Sequence, residues 1–324
     1  MRTACLAIAS LVLAGLGPRA QAEELAAYKG ATDTDDHTSG SYSWQLEYRQ
    51  LLTPFFNASF TYLNEGHLPG HHRDGVSVQA WAVTPRWHNR VDFALGIGPY
   101  FYSDTQAEDS TTGFRDYHSV GEILTGSLTY RWENGWFARL NLSEIHTPGD
   151  ASTHTLVLGA GYALDRLAES LSASIDHGVT PFSGSELGWF MGQTIDNSLS
   201  SPRSGNLGIE FRQGVASDFE LSAAWLNEAD ASGQRDGVIG EAWVVDPLAN
   251  GAVTLGVGAG AYISITQREA VNGRTAAPVE GVVSMTASWR FAKPLVARIT
   301  WTRDVTADDL DRDIITIGLS WRWE

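Results

Sequence analysis

Residues 64–75 read Asn64-Glu65-Gly66-His67-Leu68-Pro69-Gly70-His71-His72-Arg73-Asp74-Gly75, and residues 227–237 read Asn227-Glu228-Ala229-Asp230-Ala231-Ser232-Gly233-Gln234-Arg235-Asp236-Gly237. Both stretches open on Asn-Glu, close on Arg-Asp-Gly and lie between strand-like runs. The first holds three of the nine histidines, the second none. The chain is therefore duplicated, and its halves are no longer equivalent. Working outward, Glu47-Tyr48-Arg49-Gln50 returns as Glu210-Phe211-Arg212-Gln213, and Tyr62-Leu63 as Trp225-Leu226. Ala80-Trp81 returns as Ala242-Trp243, Leu95-Gly96-Ile97-Gly98 as Leu255-Gly256-Val257-Gly258, and Ala138-Arg139-Leu140 as Ala297-Arg298-Ile299. The period of roughly 160 residues is that of a whole domain, not of a solenoid repeat.

Within each half, runs of about ten residues alternate in polarity. Trp44, Leu46 and Tyr48 share one face of a strand, with Gln45, Glu47 and Arg49 on the other. Phe93, Leu95 and Ile97 alternate with Ala94, Gly96 and Gly98. The connections alternate as well. Leu52 to Pro54, Pro85 to Arg90 and Glu133 to Gly135 are short, whereas Asp33 to Ser41, Asn64 to Gly75, Ser103 to Val120 and Thr147 to His154 are longer and polar. Short turns on one side and long loops on the other suit an outer-membrane barrel, and a soluble β-sandwich has no reason to sort its loops so.

The composition agrees. Met1 to Ala22 reads as a secretory signal, with Arg2 at its start, an apolar run from Ala4 to Gly17 and a small-x-small ending at Ala20-Gln21-Ala22. The one cysteine, Cys5, lies inside it, so neither disulfides nor thiol chemistry are expected of the mature chain. Without that segment Lys+Arg falls from 22 to 20 against 38 acids, and the formal charge moves from −16 to −18. Such a charge excludes nucleic acid as a natural partner. After Ala22 no apolar run is long enough for a membrane helix, yet 12 Trp, 10 Tyr and 12 Phe are present.

The expected fold is an all-β transmembrane antiparallel β-barrel in the bacterial outer membrane, with about 16 strands closed as one porin-like barrel. Two eight-stranded barrels in tandem are the alternative, favoured by inward-facing Gly96, Gly98, Gly256 and Gly258. The divisions are a signal over 1–22, a first repeat over 23–164, a periplasmic linker over 165–184 with a helix-like start, and a second repeat over 185–324.

Three groups of residues are candidates for function. His67, His71, His72, Asp74, His118 and His154 gather, with His37, at the long-loop end of the first half, where a mouth rich in imidazole and carboxylate suits a ligand or a divalent metal. Their spacing matches no established metal motif. Glu47, Arg49, Glu210 and Arg212 are expected inside the barrel, paired with opposite charges. Glu144 and His146 fall at the outer boundary of the membrane, where ionisable groups are costly unless they have a role.

Gly96-Ile97-Gly98, the turn Trp132-Glu133-Asn134-Gly135, and Arg139 to His146 leading into Gly149-Asp150 resemble the PagL-type lipid A 3-O-deacylase family of eight-stranded outer-membrane barrels. The resemblance implies a His-x-Ser motif on this strand and a Glu on the next. His146 matches the histidine, Pro148 stands at the serine position, and the glutamate position falls near Thr153 or His154. Ser143 and Ser152 are left to take the serine's role, with Glu144 beside them. In the second half Thr302 to Val305 carries neither His nor Ser. The leading expectation is a non-enzymatic channel or outer-surface binding barrel among outer-membrane lipid and lipopolysaccharide. The alternative is a lipid A acyl-ester hydrolase using His146. Oligomeric state is not readable from the sequence.

Overall fold

The computed structural model describes residues 23–35, 40–107, 113–148, 151–165, 184–198, 201–216, 218–229, 235–248, 251–266, 277–306 and 311–323. The expected signal, His37, Gly149-Asp150 and most of the expected linker lie outside the described residues. Among the described residues no helix is long and apolar enough to cross a membrane, which says nothing of strands.

The first half forms β1 (Glu23–Thr34), β2 (Gly40–Thr53), β3 (Phe56–Leu68), β4 (His71–Val83), β5 (Val91–Ala107), β6 (Phe114–Arg131), β7 (Trp136–His146) and β8 (Thr153–Ala163). The second forms β9 (Ser185–Asp196), β10 (Arg203–Ala216), β11 (Phe219–Ala229), β12 (Arg235–Leu248), β13 (Val253–Ser264), β14 (Val279–Ala292), β15 (Leu295–Val305) and β16 (Arg312–Trp323).

Each half closes on itself. Antiparallel β1 pairs with both β2 and β8, Tyr28 lying opposite Gly159, and β9 pairs with both β10 and β16. The expectation of one sheet of about 16 strands is overturned, and the two-barrel alternative holds. The physical reason lies in the interiors. Eight strands enclose a space that side chains fill, and each half carries its own filling. Arg139 on β7 bonds Glu24 on β1 at 2.5 Å and Glu47 on β2 at 2.6 Å, so the charges of the last strands are answered by the first strands of the same half. Arg298 on β15 bonds Glu186 on β9 at 2.8 Å in the same way.

Both cores repeat one further unit. Arg49 stacks over the fully buried ring of Trp81 at 3.6 Å, and Arg212 over that of Trp243 at 3.9 Å. The indole N–H groups donate to Ser59 at 2.8 Å and Ser222 at 2.9 Å. A Cβ at Gly96 would stand 2.5 Å from the Trp81 ring, and one at Gly258 2.6 Å from that of Trp243, so only glycine lets the indoles lie flat against the wall.

The outer faces are apolar. Leu95, Ile97, Leu142 and Leu158 stand out from the first barrel, and Trp189, Met191, Ile299 and Ile317 from the second. Exposed Phe55, Phe56, Trp87, Trp132 and Trp136 ring the short-turn end of the first barrel. At the opposite end the strands run further than their hydrophobic pattern suggests. Residues 64–75, expected as a long loop, are a hairpin: β3 continues to Leu68 and β4 begins at His71, leaving Pro69 and Gly70 as the turn. Backbone pairing of polar residues above the apolar belt extends the strands, and hydropathy does not record it.

Candidate functional site

The loop end of the first barrel carries the sequence candidates, and the strand alternation sorts them onto two faces. Glu65 and Arg73 point inward. Arg73 holds Glu65 through two bonds of 2.8 Å and donates to Thr147 at 2.9 Å and Thr153 at 3.0 Å. Tyr100 donates to Glu65 at 3.0 Å. All of these groups are buried, so the network closes the upper interior. His71 stands on the same side, its Nδ1 2.9 Å from Asp104.

His67 and His72 lie on the other face. They oppose each other across β3 and β4, with ring centroids 4.4 Å apart at 34°. Asp74 shares their face and accepts the Tyr62 hydroxyl at 2.7 Å. In cross-strand register, His72 is followed by Thr105 and Asp116, and Asp74 by Ser103 and His118. The histidines of residues 64–75 are thus split between an inner and an outer group. Among the described residues no three His, Cys, Asp or Glu side chains are placed to hold a metal ion together.

Three strands on from β4, β7 alternates in the same manner. Ser143 is buried and bonded to Thr125 Oγ1 at 2.9 Å, whereas Glu144 and His146 are exposed on the outer face. Ser143 therefore does not join His146 and Glu144. The serine that does meet His146 is Ser152, just before β8, with its Oγ 2.9 Å from His146 Nδ1. Glu122 on β6 faces His146 across the strand pair, and Glu144 faces His154 on β8. His154 in turn bonds Asp35, Nε2 to Oδ1, at 3.1 Å. The outer rim thus gathers a Ser–His contact flanked by two carboxylates.

The second barrel differs at the corresponding place. Arg303 faces Asp313 across β15 and β16 as Glu144 faces His154, and the two form an ion pair at 3.0 Å. Trp301 Nε1 donates to Asp313 at 3.1 Å. The cross-strand pair Glu144 and His154 of one barrel is thus replaced by an ion pair in the other.

Glu47, Arg49 and Arg212 are buried and Glu210 is half-buried. Arg49 bonds Glu47 at 3.0 Å and Arg212 bonds Glu210 at 2.9 Å. Tyr28 donates to Glu47 at 2.9 Å, whereas the second barrel has Phe190 on the corresponding strand. A small cavity opens there, lined by Phe190, Glu210, Arg298 and Thr300.

No family model matches the chain, and no curated protein matches it. The solved structures similar to it include the N-terminal β-barrel domain of OprF from Pseudomonas aeruginosa, at 13% identity and a TM-score of 0.37, covering 44% of this chain and 98% of that one. Neisserial surface protein A is similar at 13% identity and a TM-score of 0.34, covering 44% and 96%. Ail, the attachment invasion locus protein of Yersinia pestis, is similar at 15% identity and a TM-score of 0.33, covering 44% and 98%.

Sequence reasoning missed the inward pairing of Glu65 with Arg73. The signal was present: counting by twos from inward Leu63 puts Glu65 inside, and the pair recurs as Glu228 and Arg235. The exclusion of Ser143 was legible in the same way, since it alternates with Glu144 and His146. The approach of Ser152 had no such signal, because strand parity does not place a residue that precedes β8.

Proposed function

We propose that the chain is a bacterial outer-membrane protein of two non-conducting barrels, the first presenting a binding face to the exterior and to the surrounding lipid, lipopolysaccharide included. The observation that carries this reading is the coexistence, in each barrel, of an apolar outer face with an interior filled by Arg–carboxylate networks. Apolar residues on the outside of a closed sheet are stable in hydrocarbon. Charged interiors locked by partners favour surface binding over conduction. Planar-bilayer recording of the full chain tests it: current at the empty-membrane baseline is expected, and steady channel currents overturn the non-conducting reading. Membrane fractionation tests the location, and recovery of the chain in the soluble fraction overturns it.

A second reading rests on the Ser152–His146 contact. In it the first barrel is an acyl-ester hydrolase acting on lipid A at the outer leaflet. His146 takes the Ser152 proton as the hydroxyl attacks the ester carbonyl and returns it to the sugar oxygen as the acyl–oxygen bond breaks. Water, giving its proton to His146, then cleaves the acyl-serine to release the fatty acid and restore Ser152, with Glu122 and Glu144 supplying negative charge near the imidazolium. The resemblance to PagL-type deacylases points the same way, with Ser152 in place of the serine that Pro148 displaces. Lipid A mass spectra from cells making the wild type, His146→Ala and Ser152→Ala decide it. Loss of an acyl chain only in the wild type supports the hydrolase, and an unchanged wild-type spectrum overturns it.

A further inference from the structure

We propose that His67 and His72 chelate a divalent transition-metal ion on the outer face of the β3–β4 hairpin. The geometry is built, not incidental. A bulge between Asn64 and His67 interrupts the alternation of β3, and by it His67 comes onto the face that His72 occupies, directly across the strand pair. The bulge depends on Gly66, whose φ is +72° and whose Cβ would collide with Ser41 and the Tyr42 carbonyl. It is held by the His67 backbone N–H, which donates to Ser41 Oγ at 2.8 Å. Two imidazoles fixed on neighbouring strands lose little freedom when they share an ion.

Asn64 sets the state of the ligand nitrogen. Its Oδ1 accepts the Gly66 backbone N–H at 2.9 Å, which fixes the amide orientation and turns the NH₂ toward His72 Nε2 at 3.4 Å. An amide NH₂ only donates, so this hydrogen-bond network assigns a lone pair to His72 Nε2 and the proton to Nδ1. An unprotonated, oriented imidazole nitrogen is what a metal requires, and the ion takes this lone pair by displacing the long Asn64 contact at 3.4 Å. Water completes the coordination, since no third His, Cys, Asp or Glu among the described residues joins the pair. Asp74 and Asp116 on the same face add negative potential around the ion. Two imidazoles with open water positions suit Cu²⁺, Ni²⁺ and Zn²⁺, with Cu²⁺ bound most tightly, and do not suit Ca²⁺ or Mg²⁺. His71, on the inner side with Asp104, is not part of the site.

The test uses the full chain folded in detergent, with CuCl₂ and ZnCl₂ as probes in calorimetry and electron paramagnetic resonance of the Cu²⁺ form. The expected result is a 1:1 isotherm and a hyperfine pattern from two equatorial nitrogens. Binding is lost in His67→Ala and in His72→Ala, and kept in His71→Ala. His67 is exposed, so His67→Ala keeps the fold, as heat-dependent gel mobility checks. An unchanged isotherm in the His67→Ala/His72→Ala double variant, or no binding by the wild type, overturns the proposal. Neither result depends on whether the first barrel hydrolyses lipid.

Discussion

Replacing Ile317 by arginine measures what solvates the outer face of the second barrel. Ile317 is 62% exposed and sixth of the twelve residues of β16. Its cross-strand neighbours on that face are Ile299 and Met191, so an arginine there finds no acidic partner beside it. A strand of this length, tilted by about 40°, rises through about 30 Å, which sets Ile317 near the middle of a bilayer. In hydrocarbon a guanidinium at that depth costs about 2–4 kcal/mol. In water, exchanging one exposed side chain for another changes stability by no more than about 0.5 kcal/mol. The two solvents thus predict effects that differ severalfold. The assay is guanidinium unfolding of the full chain in phospholipid vesicles, read by hydrogen-exchange mass spectrometry of peptides from each barrel. Peptides of β15 and β16 are expected to lose protection at lower denaturant, while those of the first barrel, a separate closed sheet, stay unchanged. An Ile317→Arg chain as stable as the wild type in vesicles refutes the reasoning.

Arg139→Ala removes the bonds to Glu24, Glu47, Tyr28 and Thr129 and leaves two buried carboxylates short of a partner, so a loss of about 3–5 kcal/mol in the first barrel is expected by the same exchange assay. Arg49 and Arg131 still touch those carboxylates, which argues for the lower end. Arg298→Ala is expected to weaken only the second barrel, through Glu186. Gly258→Ala forces a methyl group against the Trp243 ring and costs about 1–3 kcal/mol, visible as a shifted unfolding midpoint and altered near-ultraviolet dichroism. Ser143→Ala, which loses one buried bond to Thr125, leaves the lipid A spectrum as in the wild type, in contrast to Ser152→Ala under the hydrolase reading.

Much of this architecture was legible in the chain because strand alternation is local. Once Trp44, Leu46 and Tyr48 are assigned outward, Gln45, Glu47 and Arg49 go inward with no knowledge of the rest of the sheet. The duplication was equally plain, since Glu47/Arg49 and Glu210/Arg212 repeat at one spacing with their neighbours. Alternation and repeat length therefore told of two sets of eight antiparallel strands with apolar exteriors. They did not tell whether β8 turns back to β1 or goes on to β9, because both closures use the same strands and the same faces. Long-range partners decided that: Arg139 finds Glu24 across the seam of its own half, and Arg298 finds Glu186 across that of the other. The sites followed the same division. That His67, His71 and His72 are close was written in their spacing. That His67 stacks with His72 was decided by the bulge at Asn64 to His67, a backbone event that shifts the side-chain parity of the β3 residues beyond it, whereas His71 faces Asp104 by the plain alternation of β4.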